Sequence, residues 1–542
     1  MTANRLVLVL NIKLAFAQTN PIVGDLQHNL AQIKSHIQAA ADSGVDLLIF
    51  GELALSGYPM GDYSYRPDLV DRSETALEDL IEYSKLHPNL AVVLGHVSRA
   101  LTPALDKQSS AAIAHNSASV FSNGSLIGRY DKNLLPNYDV FDDWRNFIPG
   151  HSELIFGFRG KNIAVLICED IWGDKERGKQ LRDLGVDLIV VPNGSPFTHH
   201  KPAERRAAAK AFGAGMYVAY ANLSGGQDEL VFDGDSFLVD PSGNEVYSAG
   251  MSPGLYEVTP GELFQVSDQE RLYQVLVTGL RDYLLKTGQT SVILGLSGGI
   301  DSALCAAIAS DAIGPENVFG VGLPSRYSSE HSLQDAKQLA ENLGIHYQVV
   351  EIDSPHRVFE SLLPLSDLAK ENLQARIRAV ILMAISNTQG QLLVTTGNKS
   401  ELAVGYSTIY GDSAGGFAPI KDLFKTDVWA LSRYVNQRAG LELIPISSIE
   451  KPPSAELRPG QLDQDSLPDY QVLDQVLRLL VEQGATVAEV VAAGFERELV
   501  VEIQGMLFRA EWKRSQGAIG TKVSKVSFGR GRRVPITTRF SN

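Results

Sequence analysis

LGLSGGIDS, residues 294–302, decides how the second half of this 542-residue chain folds. The apolar residues Val292–Leu296 predict a buried strand, and Ala303–Ala309 predicts a helix directly after the glycines. The Ser-Gly-Gly turn then lies at a helix N-terminus, where free backbone N–H groups and the helix dipole favour an anion. Because glycine has no Cβ, a phosphate can approach the backbone closely. The stretch therefore predicts a phosphate-binding loop, with Asp301 as a candidate Mg²⁺ ligand.

The loop is not a Walker A motif, because no lysine follows the glycines. It instead resembles the SGGxDS loop of the N-type ATP pyrophosphatases. That family cleaves ATP between the α and β phosphates and adenylates a substrate carbonyl. The resemblance implies ATP as substrate, Mg²⁺ as cofactor, and the following ATP-binding residues in the loop: Gly295, Leu296, Ser297, Gly298, Gly299, Ile300, Asp301 and Ser302. A glycine-rich turn without a ligand is the simpler alternative, which the number of matching positions disfavours.

Length and composition limit the number of domains, the class of protein and its possible partners. The length predicts two to four domains, and 44% hydrophobic with 20% charged residues is typical of a globular protein. A net charge of −15 disfavours nucleic acid or an anionic membrane as the main partner. Two cysteines, Cys168 and Cys305, exclude a disulfide framework and favour a reducing compartment. Since no apolar run approaches a membrane span, we expect a cytoplasmic protein.

The first half alternates apolar β-type runs with helical stretches, which predicts two sheets covered by helices on their outer faces. The expected strands are Leu14–Gln18, Val45–Phe50, Leu90–Val97, Ala118–Phe121, Ile163–Cys168, Val186–Val191, Tyr217–Asn222 and Phe237–Val239. From Arg271 onward, strands alternate with long helices, which predicts a doubly wound parallel α/β sheet with ligands at the carboxyl ends of its strands. We therefore predict domains at residues 1–265 and 266–542, joined by a polar linker at Leu263–Glu270.

Three polar residues follow predicted strands of the first domain: Glu52, Lys132 and Cys168. A thiol with an ordinary pKa near ~8.5 needs a base and a nearby cation to act as a nucleophile at neutral pH. Glu52 can take the proton, and Lys132 can stabilise the oxyanion. Taken singly, a strand-end cysteine is more often a small buried hydrophobe, and Glu or Lys there a solvated residue.

These segments resemble the Glu-Lys-Cys constellation of the carbon–nitrogen hydrolase (nitrilase) superfamily, which implies an α-β-β-α sandwich. Followed by an SGGxDS domain, they resemble the family of glutamine-dependent NAD synthetases over nearly the whole chain. The resemblance implies Glu52 as general base, Lys132 as oxyanion stabiliser and Cys168 as nucleophile of a glutaminase. It also implies glutamine-binding roles for Tyr138, Ser195 and Lys201. One departure is Gly51, where that family more often has proline, which we expect to loosen the turn before Glu52.

Thr395–Thr426, TTGNKSELAVGYSTIYGDSAGGFAPIKDLFKT, is too polar and glycine-rich for a core. It resembles the dinucleotide and ATP site of NAD synthetases. The resemblance implies that Thr396 binds ATP, and that Glu401 binds deamido-NAD or shares Mg²⁺ with Asp301. It places further cleft residues on this and neighbouring segments: Asn372 and Lys513 as deamido-NAD ligands, with Arg376, Asp412, Lys421 and Lys425 lining the cleft.

The implied reaction is the last step of NAD biosynthesis. The carboxylate of deamido-NAD is adenylated by ATP, and ammonia from glutamine displaces AMP to form the amide. Pyrophosphate and glutamate are the other products. Two alternatives stay open: another glutamine-fed pyrophosphatase, or an ammonia-only synthetase with an inactive nitrilase-like domain. The same resemblance implies a homo-oligomer.

Two C-terminal stretches add expectations. Ile449–Tyr470 has four prolines and no periodicity, and we expect it to order over the active site when substrates bind. The tail from Thr521 carries six Lys or Arg and no acid, which favours a basic wall for pyrophosphate-bearing ligands or a subunit contact.

Overall fold

The computed structural model describes residues 11–100, 112–173 and 175–538, and the chain forms two compact units. One unit comprises the residues up to Gln227 together with Val231–Val266, and the other comprises Asp228–Leu230 and the residues from Ser267 onward. In the part of the chain described here, no helix is both long and apolar enough to cross a membrane.

The first unit is built on two mixed sheets, each with six strands among the described residues. Their orders are β14-β1-β2-β3-β4-β5 and β13-β12-β9-β8-β7-β6, with β10 and β11 as a separate ribbon. The strands are β1 (Leu14–Gln18), β2 (Leu47–Phe50), β3 (Ala91–Arg99), β4 (Ala114–Ser122), β5 (Ser125–Asp131), β6 (Leu154–Phe158), β7 (Lys161–Val165), β8 (Leu188–Asn193), β9 (Tyr217–Asn222), β10 (Ser224–Gln227), β11 (Leu230–Asp233), β12 (Phe237–Val239), β13 (Glu245–Ser248) and β14 (Gly254–Glu257).

The two sheets share one hydrophobic core, in which Phe16 and Ile49 of one sheet belong to the same buried cluster as Val190 and Tyr220 of the other. Strands buried on both faces need continuous apolar runs, which is why the sequence shows them so clearly. The helices of this unit are Leu26–Asp42, Pro67–Tyr83, Asp143–Asn146, Asp170–Gly173, Lys175–Asp183 and Lys201–Phe212. The predicted α-β-β-α sandwich is confirmed.

The second unit is built on a parallel sheet of order β17-β16-β15-β18 in the described residues, formed by β15 (Val292–Gly295), β16 (Val318–Gly322), β17 (His346–Val349) and β18 (Leu392–Leu393). Its helices are Asp268–Thr287, Ile300–Ile313, Glu330–Leu343, Asp353–Leu362, Asp367–Gln389, Lys399–Val404, Lys425–Ala439, Ile446–Glu450, Tyr470–Leu477 with a π-helical continuation Arg478–Glu482, Val487–Ala492, Arg497–Arg509 and Glu511–Arg514. The order 3-2-1-4 is that of a doubly wound sheet, as predicted.

Some local predictions were wrong. The expected linker is shorter, since Ser267 caps the helix Asp268–Thr287 by accepting from Glu270 N (3.2 Å). The segment Thr395–Thr426 also contributes core, burying Phe417, Ala418, Ile420, Leu423 and Phe424.

Candidate active sites

Cys168 lies just beyond the end of β7 in a left-handed backbone conformation, with φ at 44°. Its N–H donates to Pro192 O (3.1 Å), which ties the turn to β8. A residue other than glycine rarely adopts positive φ, and such conformations concentrate at functional sites. The side chain is nearly buried, with 6% of the residue exposed. The turn therefore holds a shielded thiol in a fixed place at the end of a strand.

Glu52 and Lys132 meet in the same unit as a fully buried ion pair. Lys132 Nζ lies 2.7 Å from Glu52 Oε1, and neither residue exceeds 1% exposure. Asn116 Nδ2 also donates to Glu52 Oε1 (2.7 Å), and Gly194 N donates to Oε2 (2.8 Å). Both carboxylate oxygens are thus satisfied by donors, which makes the buried charge tolerable.

Asp143 completes this cluster, although the sequence analysis did not single it out. Its Oδ2 lies 2.7 Å from Lys132 Nζ, and its Oδ1 accepts from Tyr58 OH (3.1 Å). Burial alone would lower the pKa of Lys132, but the carboxylates of Asp143 and Glu52 raise it well above its usual value. Lys132 therefore stays a cation. No pattern in VFDDW distinguishes Asp143 from a surface acid, so only the fold reveals it.

The Cys168 thiol is neutral in the resting site. Burial and the negative charge of Glu52 raise its pKa well above the usual value, and Lys132 opposes them only in part. A neutral thiol needs a base to remove its proton during attack, and a buried carboxylate beside a fixed ammonium is suited to that task.

This electrostatic arrangement predicts how Cys168 reacts with iodoacetamide. Because the pKa of the thiol is raised, the thiolate fraction keeps growing with pH, and the alkylation rate of the free enzyme should climb between about pH 7 and about pH 10 without a plateau near the usual thiol pKa. The measurement is mass-spectrometric rate determination on Cys168 in a Cys305→Ala background. A plateau near neutral pH would mean a preformed thiolate and contradict the prediction.

The candidate glutamine-binding residues of this unit, Tyr138, Lys201 and Ser195, each contact a neighbouring side chain. Tyr138 OH donates to Glu169 Oε2 (2.9 Å), and the Lys201 ammonium lies 4.0 Å from the centre of the Trp172 ring. Ser195 is buried, and its Oγ accepts from Arg205 Nε (3.0 Å).

Glu169, beside the nucleophile in sequence, was missed by the sequence analysis. Burial raises its pKa, while its bond with Tyr138 and the charges of Lys132 and Lys201 oppose that rise. An anion and a cation close to the thiol match the two charged groups of a free amino acid.

Gly51 does not loosen the turn before Glu52, contrary to expectation. A Cβ on Gly51 would lie 2.7 Å from Leu223 Cδ2 and 3.0 Å from Asn193 O. Glu52 N donates to the same Asn193 oxygen (3.2 Å). The small residue thus allows close approach of two strand ends and fixes the base in place.

In the second unit, the loop after β15 closes on itself at the N-terminus of the helix Ile300–Ile313. Gly299 N donates to Ser297 Oγ (3.1 Å), and Ser302 Oγ donates to Gly299 O (3.0 Å). Gly298 has φ at 75°, and a Cβ there would lie 2.2 Å from Ser332 O. Its carbonyl accepts from Ser448 Oγ (2.9 Å). The loop therefore lies at the N-terminus of this helix, where the helix dipole favours an anion.

Asp301 and Glu401 flank one ammonium group. Lys425 Nζ contacts Asp301 Oδ2 and lies 3.5 Å from Glu401 Oε1, while Asn398 Nδ2 donates to Asp301 Oδ1 (2.9 Å). Burial and the charge of Asp301 raise the pKa of Glu401 to about 8, with Lys425 opposing them. The paired carboxylates thus create a place where positive charge is favoured.

The donor set suits Mg²⁺, which prefers carboxylate oxygen and takes its remaining ligands from phosphates and water. Within the described ranges, no group of three or more His, Cys, Asp or Glu could hold a metal ion by itself. A site completed by a nucleotide fits that finding.

Two of the residues implied as deamido-NAD ligands, and two of those implied to line the cleft, contact one segment, residues 405–412. Lys513 Nζ donates to Gly405 O and Ser407 O (both 2.7 Å), and Asn372 Oδ1 accepts from Thr408 Oγ1 (2.8 Å). Arg376 Nε donates to Ile409 O (3.2 Å), and Asp412 Oδ1 accepts from Thr408 N (2.6 Å). Thr396 is half-buried and follows β18. Lys421 instead donates to Ala518 O.

Two family models match the chain. Residues 13–254 match the carbon-nitrogen hydrolase model, and residues 272–517 match the NAD synthase model. The matched ranges contain the Cys168 site and the Ser-Gly-Gly loop respectively.

Curated relatives match over nearly their full length. A glutamine-dependent NAD(+) synthetase of Thermotoga maritima is 40% identical, covering 98% of this chain and 99% of the relative. One of Acinetobacter baylyi is also 40% identical, covering 97% and 98%. A solved glutamine-dependent NAD+ synthetase of Acinetobacter baumannii in complex with ADP superposes with a TM-score of 0.75 at 37% identity, covering 97% of this chain and 98% of that chain.

Proposed function

Because this chain belongs to the glutamine-dependent NAD(+) synthetases, which amidate deamido-NAD with glutamine nitrogen, we propose that its two sites divide that reaction between them. The Cys168 site would release ammonia from glutamine, and the Ser-Gly-Gly loop site would use ATP to activate the carboxylate. The observation that carries this division is the buried contact of Glu52 with Lys132, since an inactive nitrilase-like domain has no need of it.

In the first half-reaction, Glu52 removes the proton from Cys168 as the sulfur attacks the side-chain amide carbon of glutamine. The Lys132 ammonium stabilises the oxyanion, and its charge is secured by Asp143. As this intermediate collapses, the amide nitrogen takes the proton held by Glu52 and leaves as ammonia, and a glutamyl thioester remains. Glu52 then deprotonates a water molecule that hydrolyses the thioester to glutamate and the free thiol.

Charge complementarity assigns the two ends of glutamine. We propose that Glu169 binds its α-ammonium, that Lys201 binds its α-carboxylate, and that Tyr138 and Ser195 complete the pocket. The bond from Tyr138 to Glu169 orients the carboxylate before substrate binds.

Replacing Glu169 by glutamine keeps the shape and the acceptor for Tyr138 but removes the charge. We expect the KM for glutamine to rise by about 10- to 100-fold, since hydrogen bonds to charged groups contribute about 1.5–3 kcal/mol. The KM for ammonium in NAD formation should not change. Glu204→Gln, which alters a more exposed acid near Lys201, is the matched control. Equal KM values for the Glu169 and Glu204 variants would contradict the assignment.

In the second half-reaction, the loop Gly295–Ser302 and Thr396 hold ATP, and Asn372, Glu401 and Lys513 hold deamido-NAD. Mg²⁺, which we propose Asp301 and Glu401 bind, would neutralise phosphate charge. The nicotinate carboxylate attacks the α phosphorus, and pyrophosphate leaves. Ammonia then attacks the adenylated carbonyl, AMP leaves with the bonding electrons, and the amide of NAD remains. Ammonia must stay shielded from water in transit, because in water at neutral pH it is mostly protonated.

The test uses glutamine labelled with ¹⁵N in its side-chain amide, in an excess of unlabelled ammonium. We expect NAD to carry the label and its formation to require ATP and magnesium. Label-free NAD would identify an ammonia-only synthetase, and ATP cleavage without NAD would favour another glutamine-fed pyrophosphatase. Homo-oligomerisation and a cytoplasmic location stay predictions.

A further inference from the structure

Lys399 begins the short helix that carries Glu401, and its side chain is completely buried. The ammonium contacts Asp422 Oδ1 (2.9 Å), Glu482 Oε1 (2.8 Å), Ser524 Oγ (2.6 Å) and Val526 O (2.9 Å). Burying an ammonium group is destabilising unless all its N–H donors are paired. Loss of one partner would therefore leave an unpaired donor on a buried charge. These contacts therefore fix Lys399 to the C-terminal segment.

Asp422 holds the same segment from the other side. Its Oδ2 accepts from Val523 N (2.8 Å) and Ser524 N (2.7 Å), and the Ser524 hydroxyl lies 2.7–2.8 Å from its two oxygens. Burial alone would raise the pKa of Asp422, but Lys399 and Lys522 keep it below its usual value. Residues 522–526, which we call the C-terminal strap, are thus held by a buried ion pair.

The position of Lys399 is coupled to both candidate magnesium ligands. Its neighbour Asn398 donates to Asp301 through Nδ2 (2.9 Å) and accepts from Glu401 N through Oδ1 (3.0 Å). Glu401 follows two residues later in the same helical turn. Any displacement of Lys399 therefore moves Asn398 and Glu401 with it and loosens the support of Asp301.

The strap lies beyond residue 517, where the match to the NAD synthase model ends. We propose that the C-terminal strap positions the Asp301–Glu401 pair for the magnesium–ATP complex, with Lys399 as the positioning residue. This inference rests on the proposed function of the loop site. It also assigns the tail a role other than a basic wall: Lys522 directs its ammonium to Ser524 O (2.7 Å) and Lys525 O (3.2 Å), within the strap itself.

Ser524 and Lys525 provide a matched pair of variants. Ser524→Ala removes the hydroxyl that joins Lys399 to Asp422, whereas Lys525→Ala removes a positive charge from an exposed side chain and leaves the strap bonds intact. The probe is Mn²⁺–ATP, titrated into the full-length enzyme without deamido-NAD and followed by water-proton relaxation. We expect Ser524→Ala to weaken binding roughly tenfold, the low end of the range for groups behind metal ligands. Lys525→Ala should bind as the wild type does, and Ser524→Thr should restore binding.

The variant Asp301→Asn distinguishes an error in the proposed role of the strap from an error in the proposed metal site. If Asp301→Asn binds Mn²⁺–ATP as tightly as the wild type, the assignment of the metal site is wrong. If Asp301→Asn weakens binding but Ser524→Ala only lowers the unfolding temperature, the strap is merely structural and the inference is overturned. An equal loss in Lys525→Ala would favour a basic wall instead. Should Ser524→Ala not fold, Glu482→Gln removes the negative charge of another partner of the Lys399 ammonium at a less buried position and is expected to weaken binding in the same direction.

Discussion

Replacing Cys168 by alanine is expected to abolish NAD formation from glutamine and to leave NAD formation from ammonium close to the wild-type rate. Alanine has no nucleophile, so the glutaminase rate should fall by about 10⁴-fold or more, as for other nucleophiles that act as part of a unit. The backbone should tolerate the change, because alanine carries the same Cβ as cysteine at the positive φ of 44°. The pair formed by Glu52 and Lys132 is retained, since it does not depend on the sulfur.

The measurement compares initial rates of NAD formation with glutamine and with ammonium at saturating ATP, magnesium and deamido-NAD. Cys305→Ala is the matched control: Cys305 is the other buried thiol, and it lies in the helix after the Ser-Gly-Gly loop. We expect both nitrogen sources to work in that variant. Loss of ammonium-driven synthesis in Cys168→Ala would show that the two sites are not separable as proposed. Persistence of glutamine-driven synthesis would remove Cys168 from the mechanism.

The sequence predicts best those strands whose burial requires a recognisable apolar run. The strands Leu14–Gln18, Tyr217–Asn222 and Phe237–Val239 have the predicted bounds, because each is an apolar run buried in the shared core of the sandwich. The loop after β15 was also predictable, since a strand, two glycines and a helix former leave few alternatives. Its occupancy by ATP and the roles of single residues came from resemblance to a family and not from spacing.

Contacts between residues distant in sequence could not be predicted from local sequence patterns. Lys399 belongs to the polar stretch TGNKSE, which predicts a solvent-lined cleft, yet its partners at 422, 482 and 524 bury it completely. Asp143 is likewise one of two adjacent acids, and only the packing of its short helix places it against Lys132. A buried charge depends on tertiary partners, which local composition does not encode.

Replacing Gly298 by alanine is expected to abolish most NAD formation from glutamine and from ammonium alike, while basal glutamine hydrolysis continues. A new Cβ would lie 2.2 Å from Ser332 O, a backbone atom that cannot rotate away, and φ at 75° adds strain. The loop must therefore shift, and displacement of a substrate-positioning group by about 1 Å can cost roughly 10²-fold in rate. The measurement is NAD formation from both nitrogen sources, with glutamate release as the separate readout of the Cys168 site.

Gly344→Ala is the matched control for backbone strain. Gly344 has φ at 72°, close to that of Gly298, but a Cβ there would meet nothing within 4 Å, and the residue ends the helix Glu330–Leu343 away from the loop. The left-handed conformation costs about 1–2 kcal/mol for a residue with a Cβ, so both variants should lose a similar amount of thermal stability from that source. Only Gly298→Ala should lose synthesis. Equal rates in the two variants would mean that the loop tolerates displacement, which would contradict its proposed role in holding ATP.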